Sequence, residues 1–324
     1  MNRRHALTTM LSALLWPPSV LGQQQRMPVI GVLVTHPPLT DQIFDWLRAG
    51  LKKFGYVDGK NIKLELRSAL GQLEHVAALA EELVRLPVDI VVVVVNEVAV
   101  RAVTQATRTI PIVLVGYTND PLALGWIESY RRPGGNLTGV FAVDLSLGAK
   151  RLEILKEALP GISRVAVLWD PAFGRRELEA IRRAALVLRV EIEPIEVPRA
   201  EDLTTAARTA LQKKAGALML TWSPLFYAHR KQAAEIARTT GLPAIGPTTA
   251  LAEAGVLLAY GSDNRYNWGR AGYFIDRLLK GARAAELPVE QVSRFKLVVN
   301  LKTAETLGIK LPQTILLRAD EVIR

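Results

Sequence analysis

The chain has 324 residues, of which 49% are hydrophobic and 22% charged, which is enough apolar material for a sizeable core and a length above the usual single domain. Its formal net charge of +10 comes from basic residues scattered singly or in pairs, such as Arg175-Arg176, Arg182-Arg183 and Lys213-Lys214. No aromatics are interleaved among them, which favours solvated helix faces over a nucleic-acid stripe. The absence of cysteine excludes disulfides, thiolate metal sites, cysteine nucleophiles and a lipidated N-terminal cysteine.

At the N-terminus, Arg3 and Arg4 precede an uncharged stretch, and Val20-Leu21-Gly22 places small residues near a cleavage point, so residues 1–22 read as a secretory signal. The general secretory route is expected, and the adjacent arginines also allow the twin-arginine route. Pro17 and Pro18 interrupt the apolar run, and no later segment reaches the roughly 18 apolar residues of a membrane span.

Residues 28–34 (PVIGVLV) read as a strand, followed by the breakers Thr35-His36-Pro37-Pro38 and a helix with Ile43, Phe44, Leu47, Leu51 and Phe54 on one stripe, closed by Gly55. Strand 62–66 and helix 72–86 lead to residues 88–95 (VDIVVVVV), whose unbroken valines suit a strand buried on both faces of a parallel sheet. Helix 98–107 and strand 110–115 follow, while Pro133-Gly134-Gly135-Asn136 forms a turn before another strand. The same alternation restarts with strand 164–169, a helix through Arg189, strand 190–196, helix 200–214, strand 216–221 and helix 226–240. Gly241-Leu242-Pro243-Ala244-Ile245 then parallels Thr109-Ile110-Pro111-Ile112-Val113, as two similar lobes in tandem would give.

Strand 256–260, helix 267–280, strand 295–300 and a C-terminal helical stretch are too little for a third lobe and are expected to complete the two sheets. The fold class is therefore α/β with two lobes. One comprises residues 27–139 plus about 262–290, the other 140–261 plus about 291–324, joined by a hinge of several crossings at Gly139, at Tyr260, Gly261 and Asp263, and within 288–296.

The histidines, His5, His36, His75 and His229, stand in no metal-binding spacing, and no nucleophile elbow, phosphate loop or dinucleotide fingerprint follows a strand. No metal, cofactor or catalytic residue is expected. Asp120, Asp144, Asp170 and Asp263 stand at strand ends, where an acid–base pair is one reading and helix capping or turn formation the other.

In open parallel sheets, ligands lie beyond the carboxyl ends of the strands. Those ends carry Thr35, His36, Asn96, Glu97, Tyr117, Thr118 and Asn119 in the first lobe, and Asp170, Phe173, Trp222, Ser223 and Thr248 in the second. Facing one another, these hydroxyls, amides and aromatics would enclose a small molecule with a few orienting polar groups. His36 is read either as a ligand contact or as part of a solvent loop, and Glu97 either as a cleft carboxylate or as a complement to the start of its helix. Trp126, Tyr227 and Trp268 fall in helical patterns and read as packing residues.

Several segments carry a resemblance to one family: PVIGVL at 28–33, GLKKFGYVDG at 50–59, RPGGNLTG at 132–139, KRLEIL at 150–155, FKLVVNLKTA at 295–304 and LRADEVI at 317–323. Together they resemble the ABC-transporter substrate-binding proteins that include tryptophan- and tyrosine-binding members. The resemblance implies a type I periplasmic-binding fold, two Rossmann-like lobes joined by three crossings that close on a ligand by hinge motion. It also implies ligand contacts at Thr35, Asn96, Tyr117, Thr118, Asp170, Phe173, Trp222, Ser223 and Thr248. The expected role is non-catalytic: capture of a small organic solute, such as an amino acid or aromatic compound, in the periplasm, and delivery by a monomer to an ABC permease of the inner membrane. A periplasmic sensor using the same cleft, or an exported enzyme using its carboxylates, are the alternatives.

Overall fold

The computed structural model describes residues 26–35, 40–94, 97–117, 120–141 and 146–324. The first half alternates β1 (Val29–Val34), α1 (Thr40–Lys52), β2 (Lys63–Ser68), α2 (Val76–Arg85), β3 (Ile90–Val94), α3 (Glu97–Ala106), β4 (Ile112–Tyr117) and β5 (Leu137–Phe141). The second half runs α4 (Ser146–Ala158), β6 (Arg164–Trp169), α5 (Arg175–Leu188), β7 (Glu191–Glu196), α6 (Asp202–Gln212), β8 (Ala217–Leu220), α7 (Pro224–Ala228), α8 (Arg230–Thr240), β9 (Ala244–Gly246), α9 (Thr249–Glu253) and β10 (Leu258–Ser262). The remainder comprises α10 (Asn264–Leu279), β11 (Val289–Gln291), β12 (Phe295–Asn300), α11 (Leu301–Thr306), α12 (Gln313–Arg318) and β13 (Glu321–Ile323).

Two sheets result, ordered β11-β5-β4-β3-β1-β2 and β13-β12-β10-β9-β8-β6-β7. The runs β5-β4-β3-β1-β2 and β10-β9-β8-β6-β7 have the same order, so the tandem repeat expected from the sequence is a repeat of topology, with IPIVLV and LPAIG at the equivalent strands β4 and β9. Every pairing is parallel except β10 with β12, as short βα and αβ loops dictate.

Helices cover both faces of each sheet, which is why β3 is buried at all five positions. On the first sheet, one layer holds Phe44, Leu47 and Leu51 of α1 with Trp268, Phe274 and Ile275 of α10, and the other holds Val76 and Leu83 of α2 with Val100 and Val103 of α3. The second sheet lies between a layer built on α4 and α5 and one built on α6 and α8. Helix α10 therefore belongs with the first sheet although it follows β10 of the second. Its docking on α1 is close: a Cβ on Gly272 would stand 2.6 Å from the Gly50 carbonyl oxygen, so only glycine lets the two backbones meet.

The chain passes between sheets after β5, after β10 and after β11. β5, β10 and β11 run parallel to β4, β9 and β5 respectively, so all three passages lie at the carboxyl edges of the sheets.

Three local expectations are corrected. The single helix expected over 226–240 is split at His229, whose backbone (φ −100°, ψ 29°) leaves the helical region. The C-terminal helical stretch also contains β13, which is registered on β12 because the Asp320 carboxylate accepts the Leu297 N–H at 2.7 Å. The edge strand β11 and helices α4 and α9 are additional elements. β11 and α9 span three and five residues, too few for a periodicity to register.

Candidate functional site

In both sheets the strand order reverses beside the first strand of the repeat, between β1 and β3 and between β6 and β8, the point at which open parallel sheets hold their ligands. In the second sheet the loop after β6 opens with Asp170, which is buried. One carboxylate oxygen accepts the Ala172 N–H at 2.9 Å, the other accepts the Ser223 hydroxyl, and the Asp170 carbonyl accepts the Gly174 N–H at 2.7 Å. Ser223 also caps α7 by accepting the Leu225 N–H at 3.0 Å, with Pro224 at the first helical position. Asp170 and Ser223 thus weld the loops after β6 and β8 together. Above that weld Phe173 and Trp222 meet edge to face, with ring centroids 5.8 Å apart.

Thr248 follows β9 and precedes α9. It is buried at 7% exposure, and its hydroxyl has no hydrogen-bond partner. It lines a small cleft that also takes in Trp46 of α1 and Tyr227, Glu253, Asp263, Arg265 and Lys296. Trp46 belongs to the first lobe and most of the rest to the second, so the cleft lies between them. Burial pushes the Tyr227 phenol up to about 12, with Arg230 opposing and Glu253 reinforcing the shift, so at neutral pH it is an uncharged hydroxyl.

In the first lobe, Thr35 is buried directly after β1, where its carbonyl accepts the Gly71 N–H at 2.8 Å. Glu97 opens α3 and pairs with Arg101 one turn on, at 2.9 Å, a contact that fits the helix role of its two readings. Tyr117 is the last residue of β4, opposite Phe141 across a register shift. His36, Asn96, Thr118 and Asn119 lie outside the described residues, as do residues 1–22 and Asp144.

Of the residues read as hinge, Gly139 sits within β5, between Leu114 of β4 and Val289 of β11, and Tyr260 and Gly261 sit near the end of β10. Gly261 passes so close to the end of β9 that a Cβ would stand 1.8 Å from the Pro247 carbonyl oxygen. Asp263 caps α10 by accepting the Tyr266 N–H at 3.2 Å, donates its own N–H to the Arg294 carbonyl at 3.0 Å, and lies 3.6 Å from the Lys296 ammonium. The second and third passages are therefore fastened side by side.

The three described strand-end carboxylates have structural partners. Asp170 and Asp263 are engaged as above, and one oxygen of Asp120 accepts both the Leu122 N–H at 2.9 Å and the Tyr130 hydroxyl at 2.8 Å. Asp120-Pro121 and Asp170-Pro171 form the same turn in the two lobes, each carboxylate accepting the N–H two residues on. Among the described residues, no group of three or more His, Asp or Glu side chains is placed to hold a metal ion, and no helix is long and apolar enough to cross a membrane.

Sequence reasoning missed Trp46, Arg151 and Glu177. Trp46 lies between the core positions Phe44 and Leu47 of an amphipathic helix, where no pattern separates a cleft aromatic from a packing one. Tyr227, read as a packing residue, is buried and also lines the cleft. Arg151 and Glu177 form a buried ion pair, and a pairing 26 residues apart on successive helices leaves no mark in the sequence.

A model of the family described as "ABC transporter substrate binding protein" matches residues 29–323. A tyrosine-binding protein of Clostridioides difficile (strain R20291) is 23% identical over 291 residues, covering 89% of this chain and 83% of that one. The crystal structure of an ABC domain from Streptococcus pneumonia in complex with L-Trp is similar at 26% identity and a TM-score of 0.79, over 91% of this chain and 99% of that one. A conserved domain protein from Vibrio cholerae shares the fold at 24% identity and a TM-score of 0.80, over 92% of this chain and all of that one.

Proposed function

The chain belongs to the ABC transporter substrate-binding protein family, with the two Rossmann-like lobes of the type I periplasmic-binding fold, and from that premise we propose that it captures a small organic solute between its lobes and delivers it to an importer. The observation that carries the reading is the cleft at the carboxyl edges, where the Thr248 hydroxyl is buried without a partner beside the neutral Tyr227 phenol. A buried hydroxyl left unpaired costs about 1–3 kcal/mol, and a ligand that bonds it on closure recovers that cost.

The solute is an amino acid or aromatic compound. Trp222, Phe173 and Trp46 supply aromatic walls for its apolar part, and the hydroxyls fix its polar end. The L-Trp complex of the pneumococcal relative and the tyrosine-binding protein of Clostridioides support that class. Residues 27–139 with 262–290 and residues 140–261 with 291–324 move as two bodies, and the closed pair is what an inner-membrane permease recognises. The protein acts in the periplasm as a monomer. It performs no chemistry, a reading supported by the structural partners of Asp120, Asp170 and Asp263.

A thermal-shift screen of the protein from about Gln23 against amino acids, aromatic acids, sugars and nucleosides tests this. Selective binding to the native state raises Tm by mass action, about 2.7 kcal/mol at a hundredfold excess over Kd. A stabilising solute recovered unaltered is the expected result; a stabilising compound that is converted to product, or no stabilisation by any class, overturns the proposal.

A further inference from the structure

Helix α4 begins immediately after the first passage between sheets, and Arg151 lies in its second turn with only 2% of its side chain exposed. One terminal nitrogen, Nη1, donates to the carbonyl of Tyr260 at 3.0 Å, on β10 just ahead of the second passage. The other, Nη2, donates to Oε1 of Glu177 in the first turn of α5. The remaining carboxylate oxygen, Oε2, accepts the backbone N–H of Trp222 at 2.8 Å. A single buried fork thus links both passages to the backbone that carries the Trp222–Phe173 pair.

Stability alone does not account for this choice of residues. A buried ion pair loses in desolvation much of what it gains in attraction, and apolar side chains of the same volume would hold α4 on α5 as well or better. Arg151 Nε is moreover buried with no partner, a further cost. What the pair supplies is direction: a planar guanidinium with two aimed donors, and a carboxylate aimed at one backbone N–H.

We propose that Arg151 and Glu177 are positioning residues. They set the Trp222 backbone, and with it the Trp222–Phe173 pair, in register with the β10 passage, so that lobe closure and the shape of the aromatic wall change together. The assignment of that wall to a ligand rests on the capture reading above, whereas the coupling itself is a property of the ligand-free protein and is tested there.

The protein is labelled with 5-fluorotryptophan, the Trp222 ¹⁹F resonance is assigned by its loss in Trp222→Phe, and amide exchange is followed by mass spectrometry. Arg151→Met removes the fork while keeping much of its volume. Glu177→Gln is isosteric, keeps an oxygen for the Trp222 N–H and turns an NH2 toward Arg151, removing both the charge and the acceptor that hold the guanidinium, so it remains informative if Arg151→Met folds poorly. In Arg151→Met the Trp222 resonance shifts and its amide exchanges about tenfold faster, and in Glu177→Gln the resonance shifts with a smaller gain in exchange. The resonance of Trp268, buried in the other lobe, stays in place in both.

Because the chain has no cysteine, spin labels at Gln105→Cys and Lys231→Cys, exposed sites on α3 and α8, report the interlobe distance without background. That distribution broadens or shifts in both variants. Unchanged Trp222 signals, or interlobe distributions that superimpose on the parent, overturn the proposal. A solute screen without hits would defeat the capture reading and leave these ligand-free outcomes standing.

Discussion

Thr248 separates a binding role from a structural one with a single atom. Its buried hydroxyl has no partner, so Thr248→Val, which keeps the shape, removes a desolvation cost from the ligand-free protein. Tm is expected to stay level or rise by a degree or two while solute affinity falls about tenfold, as calorimetric titration would record. A loss of Tm with affinity intact would make Thr248 a scaffold residue. Tyr227 gives a second reading at this scale. With its phenol pushed up to about 12, the folded chain keeps a proton between about pH 10 and 12 that the unfolded chain has released. Stability then falls as pH rises through that window, by up to about 1.4 kcal/mol per pH unit, and no slope from this group exists below pH 10. Alkaline denaturation series of the parent and Tyr227→Phe should diverge only above pH 10, the variant losing the steeper slope.

At the scale of elements, the two close backbone approaches are the sensitive points. At Gly261 an added methyl meets the Pro247 carbonyl, backbone rather than a movable side chain, so β10 or the loop carrying Thr248 must shift. Gly261→Ala is expected to cost about 1–3 kcal/mol in urea unfolding and to weaken solute binding, because the displaced segment lies beside the cleft. At Gly272 the neighbour is the α1 backbone. Gly272→Val should destabilise the first lobe by a similar amount, and it leaves the cleft walls of the second lobe untouched. A chain in which both substitutions are silent would mean that neither contact persists in solution.

For the whole molecule, the chain passes three times between the two sheets, which leaves the proposed closure few degrees of freedom. The second and third passages are fastened by the Asp263 N–H to Arg294 bond and by the Asp263–Lys296 pair, while Arg270 and Glu290 join α10 to β11. Closure is therefore expected as a rotation about this fastened pair. Small-angle scattering should give a smaller radius of gyration with a binding solute than without, and Lys296→Met, which breaks the pair with Asp263, should change the radius of the solute-free protein. Equal radii with and without a bound solute would rule out a closing hinge.

Alternating apolar runs, the unbroken valines of β3, the turn-forming Asp-Pro pairs and the repeated I/L-P-x-V/I pattern made the α/β class, the two tandem halves and most of the inner strands legible from local chemistry. Each of those signals comes from neighbours in the chain, and buried strands and amphipathic helices are specified at that range. Strand-end positions followed from the same order, because the carboxyl end of a parallel strand is fixed once strand and helix are assigned. The three-residue strands β11 and β13 lay beyond that range, since nothing but their partners makes them strands. So did the docking of α10 on the sheet that precedes β10, the inward turn of Trp46, the partnerless Thr248 hydroxyl and the Arg151–Glu177–Trp222 chain of bonds. Those depend on residues tens or hundreds of positions apart coming within a few ångströms, and only the tertiary structure decides which side chains meet and which polar atom is left to bind something else.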